Sequence, residues 1–381
     1  MDFQLDDAHL QVRQMVRDFC EAEVKPNARR WDESGEFPMA TVRKLGELGL
    51  LGITVPEEYG GSGLDMLSVA VVVEEVARYD GSLALTVASH NGLGSSQIRF
   101  FGTDAQKRRW LAPAARGEKL AAWGLTEPGS GSDAAALRTT AVRRGAGWVL
   151  NGVKTFITQG TVGDVFVVLA RTTPEKAQKG ITAFALEKGM KGFSQRPIHG
   201  KLGMRSSDTG ELVMEDVEVP DEHRIGQVDH GFLDTLSILD RGRITIGALA
   251  VGLGRGAVEE ARAYAKERKA FGKPIAEFQA IAFSLADMAT EIDAARLLVW
   301  RAAALADLGK PFTREASMGK LFASEAAMRA TSQAIQIHGG YGYTRDFPVE
   351  RYFRDAKLCE IGEGTSEVQR IVIARSILRQ A

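Results

Sequence analysis

The chain has 381 residues, 44% of them apolar and 25% charged, which is enough for two or three domains with substantial cores. Its 48 basic and 49 acidic residues nearly cancel, so the basic excess typical of nucleic-acid binders is missing, and no apolar run is long enough to span a bilayer. The two cysteines lie at opposite ends of the chain and the six histidines are scattered, which argues against a disulfide scaffold and a zinc site. We therefore expect a cytoplasmic protein with no metal, nucleic-acid partner or membrane segment.

The first part of the chain, residues 1–120, is predicted to be helical. Four apolar residues near the N-terminus share one helical face at the spacing i, i+3, i+4 and i+7: Val12, Met15, Val16 and Phe19. Asp6 or Asp7 could cap this helix. The loop EEYGGSGLD (57–65) interrupts the helical pattern, which resumes over 67–79.

The middle part, residues 121–228, is predicted to consist of strands in series. The segment 136–160 is typical of two strands joined by a turn at 144–147. Further runs of strand length are DVFVVLART (164–172), ITAFALE (181–187) and ELVMEDVEVP (211–220). Because no helical segments separate these strands, the pattern favours an antiparallel barrel or sandwich over a parallel sheet.

The last part, residues 229–381, is predicted to be a helix bundle. A heptad seam of apolar residues runs through one long helix: Ile281, Leu285, Met288, Ile292, Ala295, Val299 and Ala302. Gly309 and Pro311 should end that helix, and Thr313 could cap the next one, which should end near 339–340. A final helix is predicted to begin at 365–366 and to continue to the C-terminus.

Two loops carry residue types that could bind a ligand. TEPGSGSD (126–133) offers backbone N–H groups and hydroxyls that could wrap a polar heterocycle or a phosphate, but it could equally be a β-turn closed by Asp133. In RKAFGK (268–273), Arg268 and Phe271 could hold a phosphate and stack on a ring. The alternative is a basic helix terminus that complements the helix dipole.

A third loop, IGEGTSE (361–367), carries a candidate general base. Glu363 lies between two glycines, which would let the backbone approach a ligand closely, and a helix begins just after it. A carboxylate in such a loop can act as a base. It can also be a solvated loop glutamate, and the spacing does not decide between the two.

Five segments in order resemble the acyl-CoA dehydrogenase family over essentially the whole chain. They are TEPGSGSD (126–133), GVKTFIT (152–158), ERKAFGKPIAEFQAI (267–281), QIHGGYGY (336–343) and EIGEGTSEVQR (360–370). The resemblance implies an α+β fold with an N-terminal helical domain (1–120), a middle antiparallel β-barrel-like domain (121–228) and a C-terminal four-helix bundle (229–381).

The resemblance also implies non-covalent FAD. It places one flavin-contacting segment at Trp123, Leu125, Thr126, Gly131 and Ser132, and a second at Phe156, Ile157 and Thr158. Thr158 matches the hydroxyl that faces flavin N5, and Phe156 stands where relatives often have Trp. The positions that match the adenosine diphosphate half are Arg268, Phe271, Gln279, Gln336 and Gly340, and Thr365 and Glu367 complete the cofactor set. Part of this site comes from a neighbouring subunit in the family, which implies a dimer or a homotetramer built as a dimer of dimers.

The resemblance further implies a reaction. Glu363 matches the catalytic base, and Gly242 stands where other members carry the base instead. The substrate-lining positions are Ser132, Asp240, Arg243 and Gly364. The implied activity is α,β-dehydrogenation of an acyl-CoA to trans-2-enoyl-CoA, as in β-oxidation, with the β-hydride passing to flavin N5 and electrons passing on to an electron transfer flavoprotein. The alternatives are an oxygen-using flavin oxidase or monooxygenase of the same fold and a non-catalytic helical assembly protein. Glu363 argues against the first alternative, and the retained flavin segments argue against the second.

Overall fold

The computed structural model describes residues 4–378 and begins with a group of helices. Three of the eight short helices before the sheet continue into a single π-helical turn, at Cys20–Val24, His90–Gly94 and Lys107–Leu111. The helices are α1 (Asp7–Phe19), α2 (Ala28–Ser34), α3 (Met39–Glu47), α4 (Met66–Ala77), α5 (Gly81–Ser89), α6 (Ser95–Phe101), α7 (Asp104–Gln106) and α8 (Ala112–Ala115).

Helix α1 begins where the sequence predicts. The Asp6 side chain accepts a hydrogen bond from the backbone N–H of His9, so Asp6 is the cap. The imidazole of His9 in turn lies 3.1 Å from the carboxylate of Asp65, which caps α4 through the N–H of Ser68. Two helix caps are therefore joined through one histidine, which fixes α1 against the almost fully buried α4.

The middle of the chain forms one eight-stranded sheet and confirms the predicted strand series. The strands are β1 (Ala121–Gly124), β2 (Thr140–Arg144), β3 (Gly147–Thr158), β4 (Val165–Arg171), β5 (Ile181–Glu187), β6 (Phe193–Pro197), β7 (Thr209–Pro220) and β8 (Arg224–Ile225). The order along the sheet is β6-β7-β3-β2-β4-β5-β8, with β1 paired to β4. The edge strand β6 is not predicted from the sequence because it is short and mostly polar.

The strand pairing is antiparallel, as the sequence predicts, except for two parallel pairings that both involve β4. Strand β1 pairs with β4 in parallel over four residues, and β2 makes one further parallel pair with β4. The β2–β3 hairpin lies between β1 and β4 in the chain, so the chain has room to return in the same direction. Both faces of β4 are buried, one in the core of the β region and one against the helices.

The C-terminal part is helical and is organised around one central helix. The elements are α9 (Gly231–Glu267), the hairpin strands β9 (Lys269–Ala270) and β10 (Lys273–Pro274), α10 (Gln279–Asp307), α11 (Thr313–His338), α12 (Val349–Ile361) and α13 (Ser366–Leu378). Helix α11 packs against α9, α10, α12 and α13. The predicted continuation of the last helix to residue 381 lies outside the described residues.

The heptad seam of α10 is confirmed, since its residues from Met288 onward are buried. The predicted cap at Thr313 is wrong. Thr313 is the first residue of α11, and its hydroxyl donates to the carboxylate of Asp240 in α9 instead of capping its own helix. In residues 4–378, no helix is both long and apolar enough to cross a bilayer, and no cluster of side chains suits a metal ion.

Candidate active site

Glu363 lies in a tight loop between α12 and α13. The N–H of Gly362 closes α12 by donating to the carbonyl of Leu358 at 2.8 Å. Glu363 and Gly364 then both have positive φ angles, 53° and 93°. A positive φ is ordinary for glycine, but for a residue with a β-carbon such a conformation costs about 1–3 kcal/mol and persists only where the surroundings hold it.

The Glu363 carboxyl group is withdrawn from water. Its Oε2 atom is buried and has no hydrogen-bond partner within the described part of the chain. Burial raises the pKa of Glu363 to about 7, although Lys320 and Arg243 oppose the rise. Near neutral pH the group is therefore present in both its protonated and its ionised form, as a general base at that pH requires.

The carboxyl group of Glu363 packs directly against α9. A β-carbon built on Gly242 would lie 1.8 Å from Oε2 of Glu363 and 3.1 Å from the side chain of Leu93. The space that the carboxylate fills therefore exists only because residue 242 is glycine. Asp240 and Arg243, on the same turn of α9, are ion-paired with each other, and Asp240 accepts the bond from Thr313.

Two side chains that the sequence analysis missed hold the loop that follows Glu363. The ammonium group of Lys320 donates to the carbonyl of Gly364 at 2.6 Å, and the Gln369 amide donates to the same oxygen at 2.8 Å. Thr365 caps α13 by accepting from the N–H of Val368 at 3.3 Å, and Glu367 is exposed in the first turn of α13. Lys320 could have been noticed as the one lysine among the small residues that form the buried face of α11 in the described chain.

The two predicted flavin segments meet at a backbone hydrogen bond just beyond the end of β1. Trp123 is in β1, and Leu125 and Thr126 follow it directly; the N–H of Thr155 in β3 donates to the carbonyl of Thr126 at 2.9 Å. One residue further along β3, Phe156 has a φ of 58° and is 68% exposed, whereas Ile157 is buried and Thr158 ends the strand half-buried. One apolar cluster contains both Trp123 and Leu93, and so links these segments to the Glu363 site.

A buried ion pair, also missed by the sequence analysis, connects the two segments. Lys154 in β3 is fully buried, and its ammonium group lies 2.8 Å from the carboxylate of Glu127 and 3.2 Å from the carbonyl of Leu125. Glu127 also accepts from the backbone N–H groups of Arg138 and Thr139 at 2.6 and 2.9 Å. Burial lowers the pKa of Lys154 to about 8, against the effect of Glu127. The sequence held one signal for this pair, because the motif 126–133 contains the acidic Glu127 and the motif 152–158 contains the basic Lys154.

The loop 126–133 is closed by backbone bonds. Glu127 and Ser130 exchange N–H···O bonds of 2.9 and 3.1 Å, and the Ser130 hydroxyl donates to the carbonyl of Asp133. Gly131 and Ser132 project from this turn and are exposed. A β-carbon on Gly131 would meet no atom within 4 Å, so packing within the chain does not require glycine there.

The residues predicted for the adenosine diphosphate half lie apart from Glu363. Arg268 and Gly340 line one open cavity of about 560 Å³, where the Arg268 guanidinium lies 5.9 Å from the ring centroid of Tyr341. Arg268 is also the residue that ends α9, so the helix-terminus interpretation holds as well. Phe271 is 96% exposed in the β9–β10 hairpin. Gln279 at the start of α10 and Gln336 near the end of α11 are likewise exposed.

Several buried polar atoms in these segments have no partner in residues 4–378. They are Trp123 Nε1, Arg243 Nε, His338 Nε2, Glu363 Oε2, Ser366 Oγ and Gln369 Oε1. Buried polar groups are normally hydrogen-bonded, so each needs an explanation. Their grouping at the flavin segments, at the Glu363 loop and at the Arg268 cavity fits a large ligand with polar atoms along its length.

Comparison with known proteins gives matches over all three parts of the chain. Family models described as the N-terminal, middle and C-terminal domains of acyl-CoA dehydrogenase match residues 6–118, 122–217 and 229–378. The short-chain specific acyl-CoA dehydrogenase of Clostridium acetobutylicum is 50% identical over 379 residues, covering 100% of both chains. Among solved structures, butyryl-CoA dehydrogenase from Megasphaera elsdenii superposes with a TM-score of 0.98 at 43% identity, covering 100% of both chains. A chain from a structural study of the electron transferring flavoprotein of Acidaminococcus fermentans superposes with a TM-score of 0.99 at 46% identity, again covering 100% of both chains.

Proposed function

The chain belongs to the FAD-dependent acyl-CoA dehydrogenase family of oxidoreductases, and from this premise we propose that it converts a short-chain acyl-CoA to trans-2-enoyl-CoA. The observation that carries the proposal is the Glu363 carboxylate packed against Gly242 of α9, with its Oε2 atom buried and without a partner in residues 4–378. Its short-chain preference is supported by the relative from C. acetobutylicum and by the butyryl-CoA dehydrogenase of M. elsdenii.

In this proposal Glu363 removes the α-proton of the thioester. The α-proton is weakly acidic, so the negative charge that develops on the thioester oxygen must be stabilised by donors such as the backbone N–H of the base itself. The glycines on either side of Glu363 allow that close approach of backbone to substrate. Exclusion of water from the buried carboxylate raises its basicity, and a positioned base of this kind contributes about 10²–10⁴ in rate.

The two flavin segments would hold the ring system of FAD, with Trp123 in β1, Leu125 and Thr126 in the loop that follows it, and Phe156, Ile157 and Thr158 in β3. Arg268, Phe271, Gln279, Gln336 and Gly340 would hold the adenosine diphosphate half, with Thr365 and Glu367 at the start of α13. The unpaired indole N–H of Trp123 and the open cavity at Arg268 support this assignment. When bound, FAD supplies the acceptor for the β-hydride at N5.

The acyl-CoA thioester would lie between the Glu363 carboxylate and the flavin ring. Ser132, Asp240 and Arg243 would line its CoA arm, and Gly364 would contact the substrate beside the base. Asp240 and Arg243 flank Gly242, the residue at which α9 contacts the Glu363 carboxylate, and this proximity to the base supports their assignment. The likeness to the chain from the A. fermentans flavoprotein work supports an electron transfer flavoprotein as the acceptor of the electrons.

We further propose a cytoplasmic homotetramer that acts in β-oxidation, with domains divided at 120/121 and 228/229. The exposed apolar side chains Phe271, Tyr343 and Leu378, 96%, 89% and 84% exposed in the single chain, support burial against another copy. The family models match residues 6–118, 122–217 and 229–378, and the gaps between these ranges support the proposed division.

The test is anaerobic titration of the purified yellow protein with a series of straight and branched acyl-CoAs of increasing length. We expect flavin bleaching and release of trans-2-enoyl-CoA, most rapid with short chains. Re-oxidation by electron transfer flavoprotein that is much faster than re-oxidation by oxygen would distinguish a dehydrogenase from an oxidase. A protein that binds flavin but is not bleached by any acyl-CoA would contradict the proposal.

A further inference from the structure

We propose that Lys320 is a positioning residue for the base, because its ammonium group holds the Glu363–Gly364 loop in the conformation that presses the Glu363 carboxylate against α9. The inference rests on the proposed function, in which Glu363 removes the α-proton. It assigns to a buried lysine of α11 a role in the geometry and the charge state of a residue on a different element.

The contact is direct and lies next to the base. Lys320 has no exposed surface, and its Nζ atom lies 2.6 Å from the carbonyl oxygen of Gly364. That oxygen also accepts from the Gln369 amide at 2.8 Å, and Gln369 is likewise fully buried. The peptide that follows Glu363 is therefore held from two sides, by α11 through Lys320 and by α13 through Gln369.

The loop needs such anchoring because its backbone is strained. Glu363 carries a side chain at a φ of 53°, and Gly364 follows at 93°. Conformations of this kind persist only where neighbouring groups over-determine them. A buried ammonium group in turn requires hydrogen-bond acceptors, so Lys320 and the Gly364 carbonyl stabilise each other. If the bond is lost, the loop can relax and the carboxylate can leave its place beside Gly242.

Lys320 also acts through its charge. The groups that face it are Glu363, Cys359 and Glu360 at the end of α12, and Arg243 on α9. Burial lowers the pKa of Lys320 to about 8, so it still carries a positive charge at neutral pH. That charge favours the ionised form of Glu363 and so opposes the rise of the pKa of the base. Anchoring and charge are two effects of one group, and they can be separated by substitution.

The experiment uses the FAD-loaded protein and four variants. Lys320→Met removes the donor and the charge, Lys320→Gln removes the charge but keeps a donor, and Gln369→Leu removes the second donor without changing the charge. Ser324→Ala is the matched control, because Ser324 is buried one turn further along α11 and bonds only to Leu321 of its own helix. Amide hydrogen exchange over residues 362–368 reports on the loop, and anaerobic flavin reduction by acyl-CoA as a function of pH reports on the base.

For Lys320→Met we expect loop exchange to be at least about tenfold faster, flavin reduction to be at least about tenfold slower, and the acid limb of the pH profile to move to higher pH. Lys320→Gln should recover part of the protection against amide exchange, but the acid limb of its pH profile should remain at the higher pH. Gln369→Leu should speed exchange without moving the limb, and Ser324→Ala should match the parent.

A Lys320→Met protein with unchanged loop exchange and an unmoved acid limb would overturn the inference. If that variant does not fold, an unmoved limb in Lys320→Gln overturns the effect of the charge, and unchanged exchange in both Lys320→Gln and Gln369→Leu overturns the anchoring. A parent protein whose flavin is not reduced by any acyl-CoA would contradict the proposed function instead, and the exchange measurements would still decide whether Lys320 holds the loop.

Discussion

The carboxylate of Glu363 and the α-carbon of Gly242 occupy adjoining space, so closely that a β-carbon at residue 242 would lie 1.8 Å from Oε2 of Glu363. The resemblance places the base of some family members at 363 and of others at 242. In this fold the two positions meet at one point, although they lie on different elements. The relationship explains how either position could serve the same substrate carbon, and it shows that both cannot carry side chains without displacement of one of them.

Replacement of the base should abolish dehydrogenation while leaving binding intact. Glu363→Gln keeps the shape of the side chain but cannot accept a proton, so we expect flavin reduction by acyl-CoA to fall by at least about 10². FAD content and acyl-CoA binding should match the parent. Anaerobic stopped-flow reduction measures the rate. A rate within about tenfold of the parent, below the usual range for a general base, would show that Glu363 is not the base.

The rate of flavin reduction in the parent should rise with pH. Glu363 must be ionised to take a proton, and burial raises its pKa to about 7 against an ordinary value of 4.5. In the free enzyme the acid limb should therefore have its midpoint near 7, with the rate falling below it and levelling off above it. The measurement is the pH dependence of kcat/KM with a substrate that does not titrate in this range. A midpoint near 4.5 would indicate a solvated carboxylate.

Features of the fold that depend on local patterns could be predicted from the sequence. The cap at Asp6 and the seam of α10 follow from side-chain type and spacing alone, and the structure confirms both. The predicted cap at Thr313 is wrong because Thr313 is already inside α11, whose N-cap position is Phe312, and its hydroxyl donates to Asp240, which is distant in sequence. The parallel pairing of β1 with β4 likewise depends on a long-range choice of partner that no local pattern encodes.

The candidate site likewise combines a local feature that could be predicted with long-range contacts that could not. A glycine-flanked glutamate at a helix start could be read from the chain, but whether it was a base or a solvated residue could not. Burial of its carboxylate depends on the missing side chain of Gly242, and its anchoring depends on Lys320. The roles assigned to the FAD and substrate residues stay predictions.

The buried pair Lys154–Glu127 should be needed for stability and for the shape of the flavin site. Lys154→Met leaves the Glu127 carboxylate buried beside the Leu125 carbonyl without its cation, which should cost about 3–5 kcal/mol in the free energy of unfolding. The double variant Lys154→Met/Glu127→Gln should recover part of this loss. Thermal unfolding of the FAD-loaded proteins, with the visible flavin spectrum, tests both claims. If the loss in the double variant equals the sum of the losses in Lys154→Met and in Glu127→Gln alone, the two side chains do not act as a pair.

Cofactor retention and assembly should be linked through Arg268. Arg268 lines the open cavity near Gly340, and we propose that it holds the adenosine diphosphate half of FAD. Arg268→Ala should lower the ratio of flavin to protein absorbance and shift the elution volume toward smaller species, because a ligand shared between subunits stabilises the assembled state. Added FAD should reverse both changes. Lys266→Ala is the control, since Lys266 is exposed in the last turn of the same helix. A parent protein that is a fully flavin-loaded monomer would refute the link.

A carboxylate moved to residue 242 should restore part of the activity lost with the base, provided that residue 363 is made small. With glutamine at 363, a β-carbon at 242 would collide with the amide, so the rescue must be built on Glu363→Ala. We expect Glu363→Ala/Gly242→Glu to reduce flavin measurably faster than Glu363→Ala but much more slowly than the parent, because the new carboxylate lacks the anchoring that Lys320 and Gln369 give the native loop.

Gly242→Ala in the parent is the matched control. It adds no charge, yet it should slow reduction because its methyl group must displace the Glu363 carboxylate. Parent-like activity in Gly242→Ala would mean that the carboxylate works from another position. If the double variant alone stays inactive, residue 242 does not face the substrate carbon, and the assignment of Glu363 as the base is unaffected.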